Sequence, residues 1–206
     1  NGLNLQKHSF TTDSLFKVGA NYKYKSKIGF IYMFNDNGKL ISITDRTGNI
    51  TTCIYNNDKL TTITDPVGRQ YTIEYNNKNL ISKITNCLNL SYKYVYDNDS
   101  TLIFVVNPRG DTTKYEYDIS KRLIKHWDWD KNLYAYNIYS DSSGSDSNKV
   151  IKQYNAYGSL TNFVYDTLYK ITLVISPNND TSIYKYDKHH RIIWQKTPLG
   201  YSENYD

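Results

Sequence analysis

Aliphatic and aromatic residues alternate with polar residues along most of the chain, in short runs separated by turn residues. In the stretch 60–75, a run rich in β-branched residues leads into a turn at 65–68 (Asp-Pro-Val-Gly), and Tyr71, Ile73 and Tyr75 follow at alternate positions. Residues two apart share one face of a strand, and Pro with Gly two residues later is typical of a turn. The stretch predicts a β-hairpin.

The same hairpin pattern recurs at a nearly fixed period. An aliphatic anchor opens each repeat, and successive anchors are 20 or 21 residues apart except for one interval of 27: Leu40, Leu60, Ile81, Leu102, Leu123, Val150, Ile171 and Ile192. Eight residues after the anchor the turn carries Gly or Asn in all but one repeat, and its glycines are Gly48, Gly68, Gly110, Gly158 and Gly200. The pattern predicts an all-β array of about eight antiparallel β-hairpins of ~21 residues each.

The returning strand of each repeat carries the most regular column. Most positions thirteen and fifteen residues after the anchor are tyrosines: Tyr55, Tyr75, Tyr94, Tyr96, Tyr115, Tyr117, Tyr136, Tyr165, Tyr184 and Tyr186. We expect these side chains to share one face and to form the structural core of the repeats, because the two positions are two residues apart. Their hydroxyl groups need a partner or water, which favours a wet cavity or the vicinity of turns over a dry core.

Two regions depart from the period. Residues 1–29 are predicted to be an irregular N-terminal segment or a degenerate repeat, whereas residues 30–206 form the regular strip. The long interval contains an insertion rich in Ser, Asp and Gly at 140–149. Such a composition buries little apolar surface, so the insertion is predicted to be disordered.

Three tryptophans are the candidate ligand or partner platform: Trp127, Trp129 and Trp194. Trp127 and Trp129 flank the turn-opening Asp128, in the repeat where Lys131 replaces the usual Gly. An aromatic ring offers a flat apolar surface to a sugar ring or to a partner.

Charge and motifs argue against several other functions. The formal net charge is +5, and its lysines and arginines are scattered over all repeats, which predicts solvated turn or edge residues and no nucleic-acid partner. No stretch approaches 18 apolar residues, so no membrane span is expected.

Adjacent His189 and His190 would face opposite ways on a strand, and a Tyr-Asp dipeptide supplies only one carboxylate per strand, so neither predicts a metal site. No motif of an enzyme or cofactor site is found, and the sequence predicts a non-enzyme without cofactors.

The repeats resemble YD repeats, the Tyr-Asp repeats of the RHS family. The matching residues are the stretch 55–75, the stretch 106–118 (Val-Asn-Pro-Arg-Gly-Asp-Thr-Thr-Lys-Tyr-Glu-Tyr-Asp), the Lys-Arg-Leu at 121–123, and Tyr186-Asp187 with Arg191-Ile192. The resemblance covers about residues 30–206. It implies a long strip of antiparallel hairpins that curves and spirals into part of a hollow YD shell.

The resemblance also carries expectations about function. In bacterial RHS and toxin-complex proteins such a shell encloses a toxic domain, and in animal teneurins a similar shell belongs to adhesion receptors. It implies a structural segment of a bacterial, secreted or cell-surface shell that encapsulates or displays a toxin or effector. The expected partners are the remainder of a larger shell, an enclosed toxin domain, or a second copy of the chain. No catalytic residue is carried over, because the family's Asp-based self-cleavage motif has no match here.

An alternative comes from a second resemblance. Residues 32–38 (Tyr-Met-Phe-Asn-Asp-Asn-Gly) look like the core of the repeats in clostridial toxins and choline-binding cell-wall proteins. That resemblance implies an adhesive module that binds carbohydrate, with cell-surface glycans as partners. Pro-x-Gly turns, which start at Pro66, Pro108 and Pro198, favour the YD interpretation.

Overall fold

The computed structural model describes residues 13–141 and 147–205, and 19 β-strands make up its regular structure. The predicted all-β class is confirmed in this part of the chain. No helix among these residues is long and apolar enough to cross a membrane. Residues 1–12, and residues 142–146 of the predicted insertion, lie outside the described residues.

The chain divides into two compact units, the N-terminal unit Asn1–Tyr94 and the C-terminal unit Val95–Asp206. The N-terminal unit contains β1 (Ser14–Val18), β2 (Asn21–Lys25), β3 (Ile31–Phe34), β4 (Leu40–Thr44), β5 (Ile50–Asn56), β6 (Lys59–Thr64), β7 (Gln70–Tyr75), β8 (Ile81–Thr85) and most of β9 (Ser91–Tyr96). Each of these strands pairs antiparallel with the next one along the chain.

The C-terminal unit follows the same plan. Its strands after the end of β9 are β10 (Leu102–Val106), β11 (Thr112–Tyr117), β12 (Leu123–Trp127), β13 (Leu133–Tyr139), β14 (Val150–Asn155), β15 (Leu160–Asp166), β16 (Ile171–Ile175), β17 (Thr181–Tyr186), β18 (Ile192–Lys196) and β19 (Ser202–Asn204). From β10 onwards each strand again pairs antiparallel with its successor. The predicted array of hairpins is therefore present in both units.

The turns explain why the period is so regular. In the turn at 65–68 the Gly68 N–H donates to the Asp65 carbonyl at 3.0 Å, and Gly68 has φ 84°. The Asp65 carboxylate also accepts from the backbone N–H groups of Val67 and Arg69, at 3.0 and 2.9 Å. Asp fixes the start of the turn and Gly supplies the left-handed conformation at its end.

The turns between repeats have the same geometry without glycine in most cases. Ser100, Lys121 and His190 hold the left-handed position at φ 68°, 61° and 60°. The Tyr-Asp carboxylates cap these turns, since Asp97 accepts from the N–H groups of Asp99 and Thr101 at 2.9 and 2.8 Å. A left-handed conformation is costly for such residues, so the capping bonds hold the turn.

A β-bulge recurs at most junctions between repeats. Tyr55 pairs with Leu60 and Ile54 pairs with Thr62, so Thr61 is an extra residue on the second strand. The same register shift occurs before Phe34, Tyr75, Tyr117, Tyr139 and Tyr186. Such bulges increase the local twist and bend the strand.

In each unit, the face that carries the tyrosine column is called the tyrosine face here, and the opposite one the reverse face. Strand β5 alternates half-buried Cys53 and Tyr55 on the tyrosine face with exposed Ile54 on the reverse face. Only Ile73, with 9% of its surface exposed, counts as buried among the described residues. Within the described residues of each unit, the sheet is therefore a single layer.

One repeat breaks the column, and the sequence-based placement of Tyr136 is wrong. Ala135 pairs with His126, whereas Trp127 pairs with Leu133, so β13 has one extra residue at its start. Because side chains alternate with a period of two, this extra residue moves Tyr136 to the reverse face, opposite Lys125. Tyr139 takes the place in the column that the fixed period gives to Ile138.

Candidate functional site

Two of the three predicted tryptophans line one cleft in the C-terminal unit. Trp127 is half-buried on β12, and Trp129 is 62% exposed in the turn that follows. The cleft has a volume of about 590 Å³, and its other lining residues come from β10, β11 and the turns that follow β10 and β12: Phe104, Gly110, Asp111, Thr112, Lys114, Asp128 and Lys131. Trp129 occupies the second turn position, where other repeats have Pro66 or Pro108. The turn does not require an indole there.

Trp194 does not join this cleft. It lies half-buried on β18, where it pairs with Lys185. Strands β13 to β17 stand between β12 and β18 in the unit, which separates the two indoles by roughly 29 Å along the sheet at ~4.8 Å per strand. The predicted platform therefore consists of a Trp127–Trp129 cleft and a separate Trp194.

Lysines cover the aromatic rings on the reverse face beside the cleft. Lys114 Nζ lies 4.6 Å from the centre of the Trp127 ring, and Lys125 Nζ lies 5.4 Å from that of Tyr136. Tyr136 stacks on Tyr154 with ring centres 5.8 Å apart. Cation–π contacts of this kind contribute about 0.5–1 kcal/mol at exposed sites.

Glu116 ties the two lysines together. Its carboxylate accepts a hydrogen bond from Lys114 Nζ at 2.7 Å and lies 4.0 Å from Lys125 Nζ. The geometry therefore places two ammonium groups, both beside one carboxylate, over the rings of Trp127 and Tyr136. Fixed-period counting missed this cluster, because it assigns Tyr136 to the other face.

The cleft itself is balanced in charge. Lys114 and Lys131 face Asp111 and Asp128 around its lining. Asp128 already accepts the backbone N–H groups of Asp130 and Asn132, both at 2.9 Å, and Asp111 accepts from the Asn107 side chain at 2.9 Å. These groups offer hydrogen bonds without a strong net field.

The turn carboxylates are held by hydrogen bonds. Bonds from the side chains of Asn49 and Thr47 lower the pKa of Asp45 to about 2. The Arg191 backbone N–H and side chain lower the pKa of Asp187 to about 2. These groups stay ionised at neutral pH and serve the turns. Among the described residues no three His, Cys, Asp or Glu side chains converge on a metal site.

The column tyrosines bind the junction bulges through their hydroxyl groups. Tyr75 Oη donates to the Leu60 carbonyl at 2.9 Å, and Tyr165 Oη donates to the Val150 carbonyl at 2.7 Å. Tyr139 makes the matching bond to Leu123 at 2.9 Å. The anchor carbonyl is thus the partner that the tyrosine chemistry requires.

The basic residue before several anchors contacts the same tyrosines. Lys59 Nζ lies 5.2 Å from the centre of the Tyr75 ring and donates to the Asn79 side chain in the next turn between repeats. Arg122 lies 4.6 Å from the Tyr139 ring in the same way. The sequence predicts that these basic residues only face the solvent. In the structure they also link one hairpin to the next.

The remaining predicted residues occupy regular positions. The column tyrosines other than Tyr136 are half-buried on the tyrosine face: Tyr55, Tyr75, Tyr94, Tyr96, Tyr115, Tyr117, Tyr165, Tyr184 and Tyr186. The turn glycines have φ values of 90°, 84°, 92°, 74° and 88°: Gly48, Gly68, Gly110, Gly158 and Gly200. Both sets support the sheet, and Gly110 alone among them borders the cleft.

Comparisons with known proteins agree with this architecture. Residues 34–70 match the family model of the RHS repeat. No curated protein matches the chain. The sequence resemblance to RHS repeats is therefore confirmed over that stretch.

Solved structures share the fold. In the Tc holotoxin pore of Photorhabdus luminescens, one chain matches with a TM-score of 0.57 at 14% identity, covering 98% of this chain and 13% of that one. A TcdB2–TccC3 structure without its hypervariable C-terminal region matches with a TM-score of 0.52 at 11% identity, over 85% of this chain and 12% of that one. The TcdB2–TccC3–Cdc42 structure matches with a TM-score of 0.51 at 10% identity, over 85% and 12%. The chain spans about an eighth of the length of these structures.

Proposed function

We propose that this chain is a structural arc of a bacterial RHS shell that encapsulates or displays a toxin or effector and has no catalytic role itself. The observation that carries the proposal is the repeated hairpin, with its capped turns, junction bulges and tyrosine bonds, which forms a single-layered sheet in the described residues of each unit. The RHS repeat match at 34–70 and the shared fold of Tc toxin structures support it.

The chemistry of the side chains supports a structural role. The turn carboxylates accept backbone N–H groups, and the tyrosine hydroxyls bind anchor carbonyls, so these groups serve the framework. The partners would be the remainder of the shell, an enclosed toxin domain or a second copy. The location would be secreted or at the cell surface, as befits a shell that carries a toxin.

Solution shape and protease protection of the natural protein test this proposal. Small-angle scattering should give a hollow particle, and a protease should spare an internal segment until the shell is opened by denaturant. A compact solid particle, or an assembly in which every segment is cut at one rate, would overturn the shell proposal.

A second candidate, carbohydrate binding, is favoured by the cleft. Two indoles, one of them 62% exposed, border about 590 Å³ of space with two lysines and two aspartates around it. Such a charge-balanced, aromatic cleft suits a neutral sugar, and its size is in the range of ligand pockets. The test is titration calorimetry against neutral cell-wall oligosaccharides with Trp129→Ala and, as matched control, Trp194→Ala. Loss of binding in W129A alone supports the candidate, and no binding to the unmodified chain rejects it.

A further inference from the structure

The C-terminal unit segregates its strand lysines onto one face. Its strands hold five lysines, and the register places all of them on the reverse face: Lys114, Lys125, Lys152, Lys185 and Lys196. In the described part of this unit, no lysine or arginine of a strand lies on the tyrosine face. Two strand carboxylates of this unit lie on the reverse face, Glu116 on β11 and the exposed Asp166 at the end of β15.

The same reverse face carries apolar side chains between its lysines. Six aliphatic residues lie on it in β15 to β17: Leu160, Val164, Ile171, Leu173, Ile175 and Ile183. Val164 is 49% exposed, and it stands opposite Leu173, which in turn stands opposite Ile183. Trp194 and Tyr154 lie on the same face on either side of this row.

The lysines at the aliphatic end remain open to a partner. Lys152, Lys185 and Lys196 are exposed, whereas Lys114 and Lys125 already contact Glu116. Exposed ammonium groups beside a contiguous apolar row form a surface that is complementary to carboxylates alternating with apolar side chains.

We infer that the reverse face of the C-terminal unit is a docking surface for an acidic polypeptide segment with interspersed apolar residues. Nucleic acid fits less well, because interfaces with nucleic acid are more polar, and the three strands between Tyr154 and Trp194 present aliphatic side chains on this face and no aromatic ring for bases to stack on. The inference depends on the charge pattern of this unit and stands apart from the shell proposal, since it names a surface and a partner chemistry.

The experiment is titration of the full chain with a synthetic peptide of alternating glutamate and valine, followed by tryptophan fluorescence and calorimetry. The triple variant Lys152→Glu, Lys185→Glu, Lys196→Glu should weaken binding at least about tenfold, because attraction becomes repulsion at three points. The matched control is Lys23→Glu, Lys25→Glu, Lys93→Glu, which makes the same charge change on the reverse face of the N-terminal unit and should leave binding within about twofold. Circular dichroism checks that both variants fold.

Each outcome decides the inference. Selective loss in the first variant, with no binding of a lysine–valine peptide, supports it. Equal losses in both variants would mean attraction by net charge alone and would overturn it. Tighter binding of a single-stranded oligonucleotide than of the peptide would identify a nucleic-acid surface, and a concentration-dependent dimer that excludes the peptide would identify a second copy as the occupant. Failure of the unmodified chain to bind the peptide would also overturn the inference and leave the shell proposal untouched.

Discussion

The reverse faces of the two units carry different side chains on the same framework. In the N-terminal unit, this face carries lysines on β2, β8 and β9, namely Lys23, Lys25, Lys83 and Lys93. It also carries cross-strand rows of hydroxyl residues: Ser42, Thr52, Thr62, Thr64, Thr72 and Thr85. In the C-terminal unit, lysines alternate with aromatic and aliphatic residues such as Tyr136, Leu173 and Trp194. Turns, bulges and tyrosine bonds occur in both units.

The difference shows which part of the repeat is constrained. The capped turn, the left-handed turn position and the tyrosine that binds the anchor carbonyl define the hairpin, and they all lie in turns or on the tyrosine face. The second residue after the anchor lies on the reverse face and varies from Thr62 to Lys83, Lys125 and Trp194. The reverse face can therefore acquire a binding role without a change of fold.

The largest expected effect is a loss of folding stability that differs between the units, because the two truncated side chains differ in burial. Ile73→Ala removes the one buried apolar side chain of the described residues and should lower the free energy of unfolding by about 2–4 kcal/mol. Val174→Ala, at a half-buried position on the tyrosine face of the C-terminal unit, should cost about 1 kcal/mol. Denaturant unfolding measures both. Equal losses would mean that exposure does not distinguish the two sites.

Substitutions at left-handed turn positions should change folding stability in opposite directions in the two units. Gly68→Ala keeps enough space around the new Cβ, but its φ of 84° should cost about 1–2 kcal/mol. Lys131→Gly, at φ 63° in the C-terminal unit, should stabilise the fold by up to about 1 kcal/mol. Thermal unfolding measures the two shifts. A stabilising G68A variant would contradict the turn assignment.

Removal of a single hydroxyl group tests the junction bond in each unit. Tyr75→Phe and Tyr165→Phe should each cost about 1 kcal/mol, because the anchor carbonyl loses its partner. Tyr71→Phe, whose side chain is 40% exposed, is the matched control and should change stability by less than about 0.5 kcal/mol. Chemical denaturation of the three variants measures the difference, and a loss as large in Y71F would rule out the bond as the cause.

The smallest expected effect is the dependence of folding stability on pH. The pKa values of Asp45 and Asp187 are lowered to about 2 in the folded chain, so both groups stabilise the fold above the unfolded pKa of about 4. That contribution is lost as the pH falls from about 4 to about 2. Asp187→Asn should flatten the profile more than Thr47→Ala, because it removes the titrating group. Unfolding midpoints between pH 7 and pH 2 measure this, and profiles that coincide with that of the unmodified chain would contradict it.

The fold follows from the sequence because it is local and repeated. The hairpin at 60–75, the capping role of Asp97 and the left-handed turn glycines depend on residues within one repeat, so counting finds them. The extra residue at the start of β13 changes the face of Tyr136 without changing any local propensity, and counting at a fixed period therefore missed it.

The candidate site depends on such non-local facts. The sequence predicts Trp127, Trp129 and Trp194 as a platform, but only register and burial show that the first two share a cleft while the third lies six strands away. The lysines and aromatic residues of the reverse face had a signal in the sequence, since Lys125, Lys152 and Trp194 all stand two residues after an anchor. That these residues form one surface follows only from the strand register, which gives the face on which each side chain lies.

Hydroxyl-radical footprinting of the natural assembly against the isolated chain tests the difference between the units most directly. Trp194 and Tyr154 lie on the reverse face of the C-terminal unit, and Met33 lies on that of the N-terminal unit. If the C-terminal reverse face is the docking surface, Trp194 and Tyr154 should be oxidised several-fold more slowly in the assembly, with Met33 unchanged. Unchanged rates at Trp194 and Tyr154, or protection confined to Met33, would contradict the account.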